Sequence, residues 1–314
     1  MLKSKPLLHA LSLFKHGSFT RAAAESYISQ SAFSRSIHSL EKKLGVKLFD
    51  RNANHVEPTA YGKVLLRRAL IIVENTEELE REIHLLRDLS IGNLSVAFGI
   101  YPAELSGNKA LGKMTLDHPD LRYQVTTGNW LTVNQLVLSR TVDIGFATTS
   151  TLEKDERLLI RNVCQHEMFL YCRGGHPLKN QKILSQSDLD NYPFVSIQVP
   201  SGLIDRVPGK NEIDVITGNI LPSIEINDFT SARTIIANSN SIGAAIPVQI
   251  ESQLKSGEFM LLDYQRPWLK PSFGFILLRN RSINPAAEVF MEHVVEIEKT
   301  LSQKNRLLTS QYLL

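Results

Sequence analysis

Apolar residues near the start of the chain recur at helical spacing. Leu7, Leu8, Ala10, Leu11 and Phe14 predict one face of a short helix, closed by Gly17 in His16-Gly17-Ser18. A second helix opens at Phe19-Thr20 and runs through Ala22-Ala23-Ala24, three small residues that let another helix approach closely. Tyr27-Ile28 reads as a turn, and Ser29 as the N-cap of a third helix. That helix sets Phe33, Ile37, Leu40 and Leu44 at i, i+4, i+7 and i+11 on its back, with Gln30, Ser31, Ser34 and Arg35 on its front.

From Thr59 to about Leu89 only Gly62 interrupts a helical pattern. Leu65, Ala69, Ile72, Thr76, Leu79, Ile83 and Leu86 alternate 4 and 3 spacing, the a/d repeat of a coiled coil, with charged residues outside it. A rod of roughly 46 Å at about 1.5 Å per residue is expected, and with it a dimer. Beyond Ser90-Ile91-Gly92-Asn93 the pattern turns to short strands alternating with helices, which predicts a mostly parallel sheet. Expected strands are 93–98, 122–127, 142–147, 167–171, 194–197, 223–226, 242–246 and 273–278. Expected helices include 103–117, 133–139 and a closing helix over 285–301.

Charge sharpens this division. Residues 1–68 carry 12 Lys and Arg against 4 Asp and Glu, a net +8, leaving −5 on the rest of a chain of net +3. A basic head on a mildly acidic body points to a polyanion partner for the head alone. No stretch reaches the roughly 18 apolar residues of a membrane span, and the amphipathic first twenty residues are not a signal peptide. A cytoplasmic protein with no membrane partner is expected. Cys164 and Cys172 bound a run that reads as one strand, which would hold the sulfurs roughly 26 Å apart at about 3.3 Å per residue. Buried free thiols are expected.

A helix with an apolar back and a front of Gln, Ser and Arg suits the major groove. Gln pairs bidentately with adenine and Arg with guanine, while Ser reaches bases or phosphates. The same pattern also fits a three-helix bundle with a polar face. Gly17-Ser18-Phe19-Thr20-Arg21-Ala22-Ala23, Ser29-Gln30-Ser31-Ala32-Phe33-Ser34-Arg35-Ser36-Ile37, Leu40-Glu41-Lys42-Lys43-Leu44-Gly45-Val46-Lys47-Leu48-Phe49-Asp50-Arg51 and Pro58-Thr59-Ala60-Tyr61-Gly62 together decide between them. This sequence closely resembles the LysR-type transcriptional regulators, densely over residues 1–62 and by architecture past Leu89.

The resemblance implies a winged helix-turn-helix (1–58), a linker helix (59–89) and an α/β effector domain (90–314) of the two-lobed, type 2 periplasmic-binding-protein-like kind. Lobe I would take about 91–162 and 267–301, lobe II about 163–266. By the resemblance, Ser29, Gln30, Ser31, Ser34, Arg35 and Ser36 face DNA, Arg51 and His55 lie in the wing, and Thr59 meets the backbone. Ser36 is shorter than is usual there, and the wing Asn52-Ala53-Asn54-His55 is poor in fixed positive charge. The implied partners are double-stranded DNA with an inverted-repeat operator, a small-molecule effector, a second copy through the linker helix, a homotetramer, and RNA polymerase.

His118-Pro119-Asp120, Val142-Asp143-Ile144-Gly145-Phe146, Gly175-His176-Pro177-Leu178 and Ser241-Ile242-Gly243-Ala244-Ala245-Ile246-Pro247 agree with such a body by their order. Its ligand would lie between lobes, at strand C-termini and helix N-termini. This picks out Pro102, Ala103, Trp130, Thr148, Ser196, Ser201 and Phe229, with Trp130 stacking on a ligand or packing in its lobe. Glu104 and Asp228 oppose an anion, so a ligand other than a small dianion is expected. A phosphate-binding glycine loop, clustered metal ligands and a nucleophile elbow are not found. No catalysis, cofactor or metal is expected. The alternative to a ligand-responsive regulator is an architectural DNA-binding protein whose body only oligomerises. The tail from Asn305 to Leu314 has no assigned role.

Overall fold

The apolar stripe of the third helix organises the head. The computed structural model describes residues 4–52, 55–85, 92–149, 155–181, 183–199, 207–216, 218–264, 266 and 269–313. The chain divides into two compact units, Met1–Arg87 and Asp88–Leu314. In the first, α1 (Ser4–His16), α2 (Phe19–Glu25) and α3 (Gln30–Leu44) precede a hairpin of β1 (Phe49–Asn52) and β2 (His55–Pro58), then α4 (Ala60–Leu85). Phe33, Ile37 and Leu40 are buried with Ala10, Leu13, Ala22, Ala23, Leu48, Phe49 and Leu66. Ser29 caps α3 by accepting the Ala32 N–H at 3.3 Å, and Gly45 ends it at φ 71°.

Two expectations for the head shift in phase. In α1 the buried apolar positions are Leu7, Ala10 and Leu13, whereas Leu8 and Phe14 are exposed. Apolar residues cover too much of that helix for spacing alone to fix its rotation. In α4, Leu65 and Ala69 pack on the head, so the exposed apolar seam begins at Ile72 and continues through Leu79 and Ile83. The turn from β2 into α4 is set by Gly62, where a Cβ would stand 2.1 Å from the Leu48 carbonyl oxygen. The predicted end of the linker, from Leu86 to Leu89, lies outside the described residues.

The second unit holds two five-stranded sheets among its described residues. Sheet I has the order β4-β3-β5-β14-β6, from β3 (Asn93–Gly99), β4 (Arg122–Gly128), β5 (Ile144–Thr148), β6 (Leu158–Gln165) and β14 (Ser272–Leu278). Its β3, β4 and β5 are parallel, and β14 returns antiparallel. Sheet II has the order β11-β8-β12-β7-β13, from β7 (Phe169–Arg173), β8 (Phe194–Ser196), β11 (Ile224–Glu225), β12 (Ile242–Ala245) and β13 (Phe259–Leu261). A small ribbon pairs β9 (Glu212–Ile213) with β10 (Ile220–Leu221). Helices α5 (Asn108–Asp117) and α6 (Trp130–Leu138) accompany sheet I, and α7 (Phe229–Ala237) sheet II.

The run from Cys164 to Cys172 is not one strand. It is the end of β6, a crossover, and β7, so the two cysteines belong to different sheets, and both are free. The crossover lies beside the returning chain, with the His166 N–H donating to Pro271 O at 3.3 Å and that of Met168 to Leu269 O at 2.7 Å. The helix expected from Ala103 starts instead with a turn at Ile100–Pro102, followed by a π-helical stretch, Ala103–Gly107. The closing helix α8 (Pro285–Tyr312) runs well past the expected end at Leu301. It absorbs the tail, burying Asn305 and Leu308. Asn305 Oδ1 accepts the Val248 N–H of lobe II, while Asn284 at the opposite end of α8 donates to Asn93 O of lobe I.

Asp143 explains the Val142-Asp143-Ile144-Gly145 phrase. Its Oδ2 accepts from the N–H and hydroxyl of Ser95 at 3.0 and 2.8 Å, and its Oδ1 lies 3.3 Å from the Arg281 guanidinium. Both partners of the ion pair are nearly buried, so removing one leaves an uncompensated charge. Asp143→Ala should destabilise the effector domain by about 3 kcal/mol, read as a lower urea midpoint with the native far-ultraviolet spectrum retained. An unchanged midpoint would show that Asp143 does not hold the sheet.

Candidate DNA interface and effector cleft

With its apolar stripe buried, α3 turns a polar row outward. Gln30, Ser31 and Arg35 are exposed and Ser34 is half-buried. Ser29 Oγ serves the helix cap and lies 3.1 Å from Ser31 Oγ. At about 100° per residue, Gln30, Ser34, Ser31 and Arg35 share one face, and Ser36 lies roughly 100° beyond Arg35. Ser36 is half-buried against α1, where its hydroxyl shares a 2.8 Å hydrogen bond with His9 Nδ1. Ser36 thus has a packing partner within the head. Burial, with the nearby Lys5 charge, holds the His9 imidazole below its ordinary pKa.

Thr59 is similarly engaged. Its hydroxyl donates to Lys47 O at 2.8 Å and accepts the Gly62 N–H at 3.1 Å, fixing the entry to α4. Arg51 and His55 lie on the wing strands, Arg51 opposite Val56 and His55 opposite Asn52. Their side chains, and the tip Ala53-Asn54, fall outside the described residues.

In the second unit, contacts cross from the first helical turn of lobe I to lobe II. The Tyr101 ring meets Phe229 edge-on at 6.0 Å, and its hydroxyl is hydrogen-bonded to the Ser196 side chain. Burial raises the Tyr101 pKa. Gln249 Nε2 donates to Tyr101 O at 3.4 Å. The Arg233 guanidinium stands 5.1 Å from the Phe229 ring centroid, pairs with Glu104 at 3.3 Å and donates to Gln249 O at 3.1 Å. Ser196 and Phe229 therefore meet Tyr101 here, Pro102 and Ala103 follow it in the chain, and all are buried. The Tyr171 hydroxyl is buried with no hydrogen-bond partner among the described residues, and its surroundings include Tyr101 and Arg233.

Other cleft candidates are placed differently. Thr148 is half-buried at the end of β5. Trp130 packs half-buried on the α6 side of sheet I, and its indole N–H has no partner among the described residues. Ser201 lies outside them. Asp228 caps α7, accepting the Ser231 N–H at 2.8 Å and its hydroxyl at 2.6 Å, so its own carboxylate occupies the helix end expected for a ligand acceptor. These bonds hold the Asp228 carboxyl below its usual range. Glu104 is answered by Arg233, so the two carboxylates do not face an incoming anion uncompensated. Both Cys164 and Cys172 have thiol pKa values raised by burial, Cys172 to about 12, which makes them poor nucleophiles.

Two family models match the chain. The one described as bacterial regulatory helix-turn-helix protein, lysR family, covers residues 7–63, and the LysR substrate binding domain covers residues 87–298. The chain belongs to the LysR family of transcriptional regulators. It has that family's DNA-binding head and effector-binding domain. This LysR regulator is 29% identical over 288 residues to the SDS degradation transcriptional activation protein of a Pseudomonas species, spanning 90% of this chain and 92% of that one. It is 24% identical to the regulator GbpR of Azospirillum brasilense, over 91% and 85% of the two chains. Its fold is similar to full-length CbnR complexed with its target DNA, at TM-score 0.54 and 19% identity over 94% of this chain and 100% of that one. Among the described residues of the LysR regulator, no helix is long and apolar enough to cross a membrane.

Arg233, Gln249 and Tyr171 escaped the sequence reading of this regulator because each lies far along the chain from Tyr101, and none sits at a strand end or helix start. The buried polar pair in its head gives a test. Ser36→Ala should lower head stability by about 1 kcal/mol, one hydrogen bond, and leave DNA affinity within about twofold. A large loss of DNA affinity with unchanged stability would return Ser36 to the DNA face. Because His9 binds its proton less readily when folded, the unfolded head takes up more protons below the ordinary value of 6.5. Head stability should therefore fall as pH drops through that value.

Proposed function

We propose that the protein binds an inverted-repeat operator as a dimer, with Gln30, Ser31, Ser34 and Arg35 of each α3 in the major groove and the wing residues Arg51 and His55 along the neighbouring minor groove. The outward polar row on α3, opposite a fully buried Phe33 and Ile37, carries this reading. Ser29 and Thr59 position the reading helix and the head's exit. The exposed seam Ile72, Leu79 and Ile83, with Thr76 between, supplies a coiled-coil face for a second copy. Pairing of such dimers into a tetramer, and contact with RNA polymerase in the cytoplasm, complete the assembly.

The effector binds between the lobes, beside Tyr101, Phe229 and Arg233. The site offers an aromatic pair, the free Tyr171 hydroxyl, and one cation already neutralised by Glu104. This combination favours a flat or chain-like apolar ligand of low charge over a small dianion. Tight calorimetric binding of simple dicarboxylates would contradict it. A ligand that separates Tyr101 from Ser196 shifts the lobe angle, and the oligomer then bends DNA differently. The activator role in the name of the Pseudomonas relative, and the target DNA held by CbnR, agree with a regulator of this kind.

Arg35→Ala and Gln30→Ala should each weaken operator binding by about 1–3 kcal/mol, roughly 5- to 150-fold, while binding to random DNA changes far less. Fluorescence anisotropy on both DNAs reads the difference, and equal losses on both would exclude base reading. Leu79→Glu should shift the protein toward monomer in sedimentation and remove cooperative half-site binding. A dimer that survives it would place the interface elsewhere.

A further inference from the structure

Where the chain leaves lobe I, three chemically distinct ligating groups converge in the interior. We propose that Cys164, His166 and Glu298 form a binding site for a borderline divalent transition-metal cation, with Zn²⁺ the preferred occupant. Neither the DNA-reading role nor the effector cleft uses these residues, so the site stands independently of both.

The donor set is the first argument. A thiol, an imidazole and a carboxylate mix sulfur, nitrogen and oxygen in the proportions that suit Zn²⁺ or Co²⁺ rather than Mg²⁺ or Ca²⁺. Geometry is the second. One ligand atom from each residue lies within 4.8 Å of the others. Ligands of a tetrahedral Zn²⁺, bonded at about 2.0–2.3 Å, stand roughly 3.5 Å apart. Closing the widest pair therefore takes about 1 Å, within the reach of side-chain torsions. His166 Nε2 and Glu298 Oε2 share a 2.7 Å hydrogen bond that opens by about 0.8 Å to admit the ion, and the Cys164 thiol stands beside Glu298.

The groups are held from three separate elements. Cys164 is the penultimate residue of β6, His166 opens the crossover with its N–H bonded to Pro271 O, and Glu298 projects from α8. Ser106, in the π-helical stretch, donates to Glu298 Oε1 at 2.5 Å and so orients the carboxylate as an outer partner of a metal ligand would. His166 and the Glu298 side chain are almost wholly buried. A thiolate and a carboxylate together balance a 2+ cation, so the filled site carries no net charge into the interior. On binding, the thiol proton leaves to solvent, and the imidazole frees Nε2 by moving its proton to Nδ1 or to solvent. A cavity of about 270 Å³, lined by His166, Glu167, Ser302 and Asn305, reaches the cluster at His166 alone and offers an entry path on that side. A cation here ties β6, the crossover and α8 into one unit and fixes the hinge about which the lobes move.

Full-length protein stripped with a chelator and titrated with Co²⁺ tests this. One equivalent per chain should bring visible bands of a tetrahedral ion together with a near-ultraviolet sulfur-to-cobalt charge-transfer band, and Zn²⁺ should displace it. Cys164→Ser, a near-isosteric change, should abolish the sulfur band and weaken Zn²⁺ binding about tenfold or more, while Cys172→Ser keeps both. His166→Gln should weaken binding as well. Saturation with Co²⁺ that gives no sulfur band, or a band that survives Cys164→Ser, would overturn the site. Either result would leave Cys164, His166 and Glu298 as a polar cluster closed by its own protons.

Discussion

Burial of Phe33 fixes what the head can do. The ring is wholly enclosed, edge-on to Phe19 at 6.1 Å and 5.0 Å from the His9 imidazole. With Ile37 and Leu40 beneath it, α3 has one rotation that buries its stripe, and that rotation presents Gln30, Ser31, Ser34 and Arg35 outward. The same constraint turns Ser36 toward His9. Gly62 then lets the start of α4 lie against the Leu48 backbone, so the head's exit is as tightly set as its reading helix.

In the effector domain the corresponding constraint is topological. The chain passes between the lobes at 166–168 and returns at 269–271, with the two passages hydrogen-bonded to each other. Helix α8 lies along both lobes, anchored by Asn284 at one end and Asn305 at the other. Beside the passage at 166–168 sits the cluster of Cys164, His166 and Glu298. Burial pushes the Glu298 carboxyl up, and hydrogen bonds from His166 and Ser106 more than offset it, leaving the carboxylate favoured. Across the cleft the Tyr101–Phe229 aromatic pair and the polar contacts of Arg233 and Gln249 join the lobes.

Much of this was legible in the sequence. The three head helices, the start of the linker helix and the alternation of strands and helices followed from spacing, capping residues and local motifs, while the wing hairpin was implied by the family resemblance alone. What escaped has physical causes. The phase of α1 was ambiguous because apolar residues surround it. The DNA contact expected of Ser36 came from the family resemblance, and its hydrogen bond to His9, 27 residues away, left no trace in local spacing. The strand-like run from Cys164 to Cys172 hid a crossover, since an extended chain passing between lobes has the composition of a strand. The contacts of Tyr101 with Ser196, and of His166 with Glu298, join positions 95 and 132 residues apart, which no local pattern can reveal.

The most direct measurement exposes the purified full-length protein to fragmented host DNA, washes at rising salt and sequences what remains bound. A regulator whose paired α3 helices read bases should retain a few fragments that share an inverted repeat with half-sites about one helical turn apart. Uniform retention of all fragments, lost evenly as salt rises, would mean that the head grips phosphates without reading sequence, and would contradict the account.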